Sequence, residues 1–347
     1  MGFYINRAIP PYIVDNKGVL RKKMKKRIFT CLIVFLLCFT YVQYVSIEPK
    51  IENIETITKE YGMKKPESSV GSATTATLSH VINVLLTKNN GYTSNDLLVK
   101  VGLFDNMPSW EKGVLFQSRD LYRSLRDEMS RSQTQSIEDA GLSKGQPKIN
   151  YDNDVWNPLV STEGRYKESK EYLDSYLKRL IDTTDSRTQF YARADNLAFW
   201  LDQVSSRLGS LSQKLSASVA SDRINTDLAG DSKAKQSTYA SNELKIKTSW
   251  FEIDDVFWES RGSCWALIQF LKAVEVDFDA VLKDRNATIS LRQIIKELEG
   301  TQESLWSPVI LNGDGFGFVA NHSLTMANYI SRANAAVIEL RSILRQR

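Results

Sequence analysis

The chain has 347 residues, enough for one large domain or two ordinary ones with a substantial buried core. With 42% apolar and 25% charged residues, 17 Gly and only 8 Pro, its composition excludes collagen-like, mucin-like and wholly disordered proteins. The net charge of +4 is unevenly placed, because residues 1–27 hold eight Lys or Arg and one acidic residue, and the remainder is slightly acidic. The basic character is therefore local and does not indicate a nucleic-acid partner for the folded part.

The first predicted element is a transmembrane helix over residues 28–47. This run contains no charge, Gly or Pro, and at about 1.5 Å per residue it spans the ~30 Å hydrocarbon core of a bilayer. Six basic residues lie between positions 21 and 27 and acidic residues follow the run, so the positive-inside rule keeps residues 1–27 in the cytoplasm as a basic tail. No small-residue cleavage site follows, which predicts an uncleaved signal anchor in contact with the lipid bilayer.

The cysteines indicate the compartment of the rest of the chain. Cys31 and Cys38 lie in the predicted anchor, so Cys264 has no partner for an intrachain disulfide in the soluble part. An exported eukaryotic domain of this size usually carries several disulfides. The sequence therefore predicts a bacterial inner-membrane protein with its C-terminal domain in the periplasm.

Beyond the anchor, the hydrophobic pattern predicts one mostly α-helical domain. Residues 48–70 have a mixed composition and are predicted to be a juxtamembrane linker, and residues 71–347 have a dominant helical period. Helices are predicted near 74–88, 109–131, 164–182, 264–283 and 288–300. Polar loops are predicted at about 132–162 and 220–247, the second as a linker or a solvated helical stretch. A hairpin or extended excursion is predicted over 306–320, and the aromatic residues concentrated between 250 and 265 are expected in the core.

Two heptad seams are the clearest pattern in the sequence. The first consists of Phe190, Ala194, Leu197, Leu201, Val204, Leu208, Leu211 and Leu215, and the second of Met326, Ile330, Ala333, Val337, Leu340 and Leu344. They predict a multi-helix bundle with long antiparallel helices, in which the helix at 164–182 pairs with the first seam because a short turn separates them. Small and aromatic residues flank the first seam, which favours an intramolecular bundle over self-association.

The sequence contains no spacing of residues that is typical of a metal or cofactor site. His80 and His322 lie in separate segments and no cysteine pair accompanies them, so no metal and no cofactor are predicted. The glycines of the segment 312–318 match neither a dinucleotide-binding motif nor a calcium loop, and they are predicted to form a turn. The carboxylates near 252–259 and 277–284 have no spacing that singles out an acid/base pair.

Cys264 is the one candidate nucleophile. The string RGSCW at residues 261–265 stands at the predicted start of a helix, where the pKa of a thiol falls. It is similar to the nucleophile segment of papain-like peptidases, with His322 and Asn328 as conceivable base and orienting residue. The chain after Cys264 reads as helical, whereas such peptidases present their histidine from a sheet domain. The expected state of Cys264 is therefore a buried, inert side chain. A periplasmic cysteine-dependent hydrolase using Cys264 and His322 is kept as the alternative, and no catalytic residue is assigned.

Long strings of this sequence resemble a family of gammaproteobacterial membrane-anchored proteins that is catalogued as a domain of unknown function. The strings are SNDLL, DNMPSWEKGVL, FYARADNL, RLGSLSQKLSASV, EIDDVFWESRGSCWALIQFLKAVEVDF, TQESLWSPVILNGDGFGF and ANHSLTMANYISRANAAVIELR. The resemblance implies an inner-membrane location and assigns no catalytic residue. We therefore expect a non-enzymatic envelope scaffold or protein-interaction module, whose partner is an envelope protein or a second copy and not a nucleic acid.

Overall fold

A computed structural model describes most of the chain. The described residues are 12–96, 106–132, 137–155, 161–182, 188–219, 221–224, 243–307, 309–314 and 318–346. Within these ranges, the side chains of residues 12–20, 42–43, 221–224 and 243–245 are not described. The chain divides into two compact units, Met1–Ile47 and Glu48–Arg347.

The first unit contains one helix, α1 (Tyr12–Val45), which joins the basic cluster and the apolar run without a break. The large apolar side chains from Ile28 to Phe39 are exposed along it. In the part of the chain that the structure describes, no helix has a stretch that is both long and apolar enough to cross a membrane.

The second unit is mostly helical, which confirms the predicted fold class for this part of the chain. Its helices are α2 (Ile54–Glu60), α3 (Ser72–Thr87), α4 (Asn106–Ser124), α5 (Ala140–Ile149), α6 (Thr162–Ile181), α7 (Ala194–Ser216), α8 (Ile253–Asp277), α9 (Asp279–Asp284), α10 (Thr288–Gly300) and α11 (His322–Arg345). A π-helical turn (Leu125–Met129) extends α4, and a 3₁₀ turn (Trp250–Glu252) precedes α8. Two short strands, β1 (Ser221–Ile224) and β2 (Glu243–Ile246), pair antiparallel with Ser221 opposite Ile246.

The two heptad seams pack against each other. The second seam is buried throughout, and the first from Leu197 onward, where α7 and α11 meet. Asp202 near the start of α7 pairs with Arg341 and Arg345 near the end of α11, whereas Ser212 contacts Ser331 at 2.6 Å. Residue numbers increase along α7 as those of the contacting residues on α11 decrease, so the two helices are antiparallel. The apolar residues of each seam are therefore covered by the other seam of the same chain.

The prediction that the helix at 164–182 packs mainly against the first seam is wrong. Among the described residues, α6 packs mainly against α3 and α5. Ser169 Oγ donates to the Gly145 carbonyl at 2.9 Å, and Arg179 binds Asp139, the cap of α5, at 2.6 Å. The wide apolar stripe of α7 is covered by α11 instead, because a heptad pattern specifies a buried face but not which helix covers it.

The central helix of the bundle is α8, which runs parallel to α4. Ser109 binds Asp255 at 2.8 Å and Gln117 binds Ser263 at 2.8 Å. The numbers of the contacting residues therefore increase in the same direction along both helices. A Cβ atom on Gly113 would lie 2.0 Å from the carbonyl oxygen of Glu259 in α8. The backbones of α4 and α8 are therefore in direct contact.

The start of α3 depends on a residue two hundred positions away. Gly71, which precedes the helix, has a φ of 86° and no side chain to cap it. The carboxylate of Asp277, at the end of α8, accepts from the Gly71 amide at 2.8 Å and from the Thr74 amide at 2.6 Å. Burial raises the pKa of Asp277 to about 6, against an ordinary value of 3.8.

The prediction of a polar loop over 132–162 is wrong for its middle part. Helix α5 begins after Asp139, whose side chain accepts from the amides of Gly141 and Leu142. Leu142 and Ile149 are buried. A side-chain cap and a short apolar face outweigh the Gly and Pro content, and Pro147 lies within the helix.

Two further predictions about connecting segments need correction. Residues 48–70 are not a plain linker, because they contain α2, whose Ile57 is fully buried beside Met63 in a small core cluster. Of residues 220–247, the described ends form β1 and β2, which corrects the prediction of a linker or solvated helix there. Residues 220 and 225–242 lie outside the described residues.

Candidate functional site

The structure removes the support for Cys264 as a nucleophile. Helix α8 begins at Ile253 and not near 264, so Cys264 lies well inside the helix and is fully buried. Burial raises the pKa of its thiol to about 12, which is the opposite of the effect expected at a helix N-terminus. The thiol is therefore protonated and inaccessible at neutral pH.

His322 and Asn328 do not complete a catalytic arrangement with Cys264. His322 is the first residue of α11, and its Nδ1 accepts from the Leu311 amide at 3.2 Å. Asn328 is exposed six residues later, on a different face of the same helix. His322 lines a cavity that Cys264 does not line. The three residues that the sequence suggested are thus not brought to one cleft in the described structure.

The glycine-rich segment and His80, the remaining candidates from the sequence, make ordinary contacts within the fold. The described ends of the glycine-rich segment pair as a turn, because Asn312 and Asn321 form a β-bridge and the Gly313 amide donates to the Ala320 carbonyl at 3.0 Å. Residues 315–317 lie outside the described residues. His80 contacts Glu60 at 3.2 Å. Among the described residues, no group of three or more His, Cys, Asp or Glu side chains could hold a metal ion.

A buried arginine organises the region where the second unit begins. Arg261, on α8, donates from Nε to both carboxylate oxygens of Glu48 at 2.8 Å. Its other nitrogens donate to the carbonyls of Thr301, Gln302 and Glu303 at 2.9 to 3.2 Å. Burial raises the pKa of Glu48 although Arg261 opposes the shift. One guanidinium thus joins the first residue of the unit, the central helix and the end of α10.

A second bond holds the next residue of the chain. The indole Nε1 of Trp265 donates to the carbonyl of Pro49 at 2.8 Å. Trp265 lies one helical turn after Arg261, so both side chains point from the same side of α8. We call these two residues with Glu48 and Pro49 the clamp. It fixes the first two residues of the unit onto the core of the bundle.

An exposed aromatic surface adjoins the clamp. Trp250, Phe251, Trp306 and Val309 are 76%, 79%, 98% and 62% exposed, and we call them the aromatic face. Two shallow cavities of about 380 and 320 Å³ lie among them, and both are lined by Leu305 and Ser307. Large exposed apolar residues that share one surface mark interaction sites in soluble domains.

The clamp and the aromatic face are physically continuous. Arg261 lines the smaller cavity and donates to the carbonyl of Glu303, three residues before Trp306. Three residues of extended chain span at most about 11 Å. Trp306, in the aromatic face, therefore lies within about 11 Å of chain from a carbonyl that the clamp arginine binds.

A larger cleft of about 810 Å³ lies between α4, α7, α8 and the segment after β2. Its most buried acid, Glu259, is paired with Lys112 at 2.9 Å and with Lys214 at 3.4 Å. Because these lysines neutralise the carboxylate, the cleft presents a satisfied ion cluster. The charged groups of this cleft are already paired with each other, whereas the apolar side chains of the aromatic face are exposed to solvent.

Sequence reasoning missed both features for identifiable reasons. The aromatic concentration at 250–265 predicts core residues, and this prediction is wrong for Trp250 and Phe251, which are exposed. The sequence pattern places Trp306 in a short apolar segment and predicts no exposed surface there. Arg261 stands beside Cys264, and no pattern in its neighbourhood predicts a bond to Glu48. A basic residue within an apolar helical stretch was the available signal, since such a residue is rarely buried without a partner.

Comparison with known proteins places the chain among bacterial proteins whose role is not established. Residues 16–347 match the model of a family described as an uncharacterised protein conserved in bacteria, DUF2333. No curated protein and no solved structure matches the chain. The matched range includes the apolar run at 28–47, the clamp and the aromatic face.

Proposed function

The chain belongs to the DUF2333 family of uncharacterised bacterial proteins, and on that premise we propose that it is a single-pass inner-membrane protein that acts as a non-enzymatic envelope scaffold or interaction module. In this proposal residues 1–27 remain in the cytoplasm, residues 28–47 cross the membrane, and the helical unit from Glu48 onward lies in the periplasm of a gammaproteobacterium.

Support for the anchor comes from the complete apolar run in the sequence. Its twenty residues, counted with positions 42 and 43, contain no charge and follow six basic residues. In α1 the large apolar side chains from Ile28 to Phe39 are exposed. Such a row of apolar side chains is stable in lipid and costly to leave in water.

The observation that carries the scaffold proposal is the clamp. A domain on a flexible linker would sample a wide range of distances from its anchor. Here Glu48 and Pro49 are bound to α8 by Arg261 and Trp265. The first two residues of the helical unit are thus part of its folded core, which suits a rigid module that presents a fixed surface to a partner.

The topology is tested with reporter fusions in intact cells. Alkaline phosphatase, which is active only after export, is fused after Arg347, and a matched fusion is made to a variant with Leu32 and Leu36 replaced by Lys. We expect an active phosphatase in the carbonate-resistant membrane fraction for the native chain. Two charges at the centre of the span cost roughly 5 to 7 kcal/mol, so the variant should lose both properties. An inactive native fusion would refute the topology.

The scaffold role is tested by crosslinking with mass spectrometry in intact cells. The proposal expects reproducible crosslinks from the periplasmic unit to an envelope protein or to a second copy. Recovery of intrachain crosslinks alone, at normal expression, would count against it. The hydrolase alternative has no observation in its favour, because its nucleophile is buried and does not line the cavity that His322 lines.

A further inference from the structure

We propose that the aromatic face binds a segment of another envelope protein, and that this segment carries Lys or Arg beside apolar side chains. The inference rests on the proposed function, because it supplies the chemistry of the partner that an interaction module requires. All the residues that carry it belong to the second unit, from Glu48 onward.

The apolar part of the argument is that the aromatic face is one surface. Trp250, Phe251 and Val309 line the larger of the two cavities, and Trp306 lines the smaller one. Leu305 lines both cavities, so the exposed rings lie around a shared wall. A partner's apolar side chain that enters either cavity leaves water and covers exposed rings, and both changes favour binding.

The charge around the face selects a basic partner. The two stretches that contain the face, 248–260 and 297–331, have eight Asp or Glu and no Lys or Arg. Three of these acids already pair with Lys or Arg outside the stretches, namely Glu259, Glu297 and Glu299. Of the others, Asp254 lines the larger cavity and Glu303 the smaller one. A Lys or Arg of the partner therefore meets acidic groups at the apolar surface, whereas an acidic partner is repelled.

Glu303 is the acid best placed for such a contact. Its side chain is exposed and has no Lys or Arg partner among the described residues. Trp306 lines the same cavity and is 98% exposed, so it offers the face of its indole ring to a cation. Arg261 is the one basic residue among the described residues that line the two cavities, and it is bound to Glu48.

The same charges disfavour other occupants of the face. The phosphate groups of nucleic acids and of anionic lipids are repelled by acidic side chains. A second copy that packs face to face places the same patch opposite itself, so Asp254 and Glu303 of one copy meet the acids of the other. A basic and apolar segment of a different protein satisfies both the exposed rings and the carboxylates.

The test places a photoreactive amino acid in the full chain in intact cells. Benzoylphenylalanine replaces Val309 in the face or, as a control, Ile338 on α11, and both positions are exposed. After irradiation, mass spectrometry identifies the crosslinked segment. We expect position 309, and not position 338, to capture one envelope protein through a segment in which Lys or Arg lies beside apolar residues.

Two pairs of exposed positions separate the contribution of the ring from that of the charge. Trp306→Ser should lower the yield of the adduct at position 309 several-fold, whereas Phe199→Ser on α7 should leave it unchanged. Glu303→Gln should also lower the yield several-fold, and Glu339→Gln on α11 should not. The captured segment, synthesised as a peptide, should bind the native chain and lose several-fold in affinity when Gln replaces its Lys and Arg.

Several results would overturn the inference. They are the absence of an adduct at position 309, an adduct with lipid or a second copy alone, and a captured segment that has no Lys or Arg or binds equally well without them. If other surfaces of the unit crosslink to an envelope protein while position 309 does not, the scaffold role stands and the proposed site alone is refuted. If no surface yields such a crosslink, the proposed function fails as well.

Discussion

Arg261 and Glu48 lie 213 positions apart in the sequence, yet the guanidinium of one binds both carboxylate oxygens of the other at 2.8 Å. Both side chains are largely withdrawn from water. The same arginine satisfies three carbonyls beyond the end of α10. The contact therefore converts the segment that the sequence presents as a linker into a part of the folded unit.

Replacing Arg261 by Met should strongly destabilise the second unit. The variant leaves the Glu48 carboxylate and three carbonyls without their donor, and breaking a buried ion pair costs about 3 to 5 kcal/mol. The measurement is the free energy of unfolding of the full chain in detergent, by urea and circular dichroism. Arg292→Met is the control, because Arg292 is exposed and its bond to Glu275 is worth at most about 1 kcal/mol. Equal losses in the two variants would show that the clamp is unimportant for stability.

The contact between α4 and α8 predicts opposite effects for the same substitution at two helical glycines. Gly113→Ala would place a methyl group 2.0 Å from the Glu259 carbonyl, so the helices must separate at a cost of about 1 to 3 kcal/mol or more. Gly209→Ala on α7 meets only the Asn334 amide at 3.5 Å, and should stabilise by about 0.5 to 1 kcal/mol. Thermal unfolding of both variants tests this, and a stabilising Gly113→Ala would disprove the close packing.

Asp277 predicts a pH dependence of stability. Its pKa is about 6 in the folded chain and 3.8 for an ordinary Asp, so the folded state binds the proton more tightly. As the pH rises from about 4 to about 6, the unfolded chain has released this proton while the folded chain retains it. The free energy of unfolding should therefore fall across that window, by up to ~3 kcal/mol, and level off above it.

The difference in stability between the native chain and Asp277→Asn, measured at several pH values, isolates this contribution. It should change with pH between about 4 and 6 and be constant at higher pH. Asp279→Asn is the control, because Asp279 is half exposed and pairs with Lys283 on the surface. A difference that does not vary with pH would refute the assignment to Asp277.

Cys264 should behave as a buried thiol. In the variant with Cys31 and Cys38 replaced by Ser, alkylation at pH 8 should proceed only as fast as the unit opens, because burial raises the pKa of the thiol to about 12. Addition of urea above the unfolding midpoint should restore the rate of a free thiol. Rapid labelling of the folded chain, with a midpoint below pH 8, would revive the hydrolase alternative.

Periodicity and composition alone predicted the features that depend on neighbouring residues. The helical class, the two heptad seams and their burial within one chain follow from apolar spacing, because a residue's place on a helix face depends only on positions three or four away. The uncharged run at 28–47 is likewise recognised from the sequence alone.

Only the tertiary structure decided which of these surfaces meet. It paired α7 with α11 instead of α6, and it left Trp250 exposed although Trp250 belongs to the same aromatic concentration as buried Trp265. It also joined Arg261 to Glu48 and Asp277 to the start of α3. These outcomes depend on contacts between residues one to two hundred positions apart, and local spacing does not specify such partners.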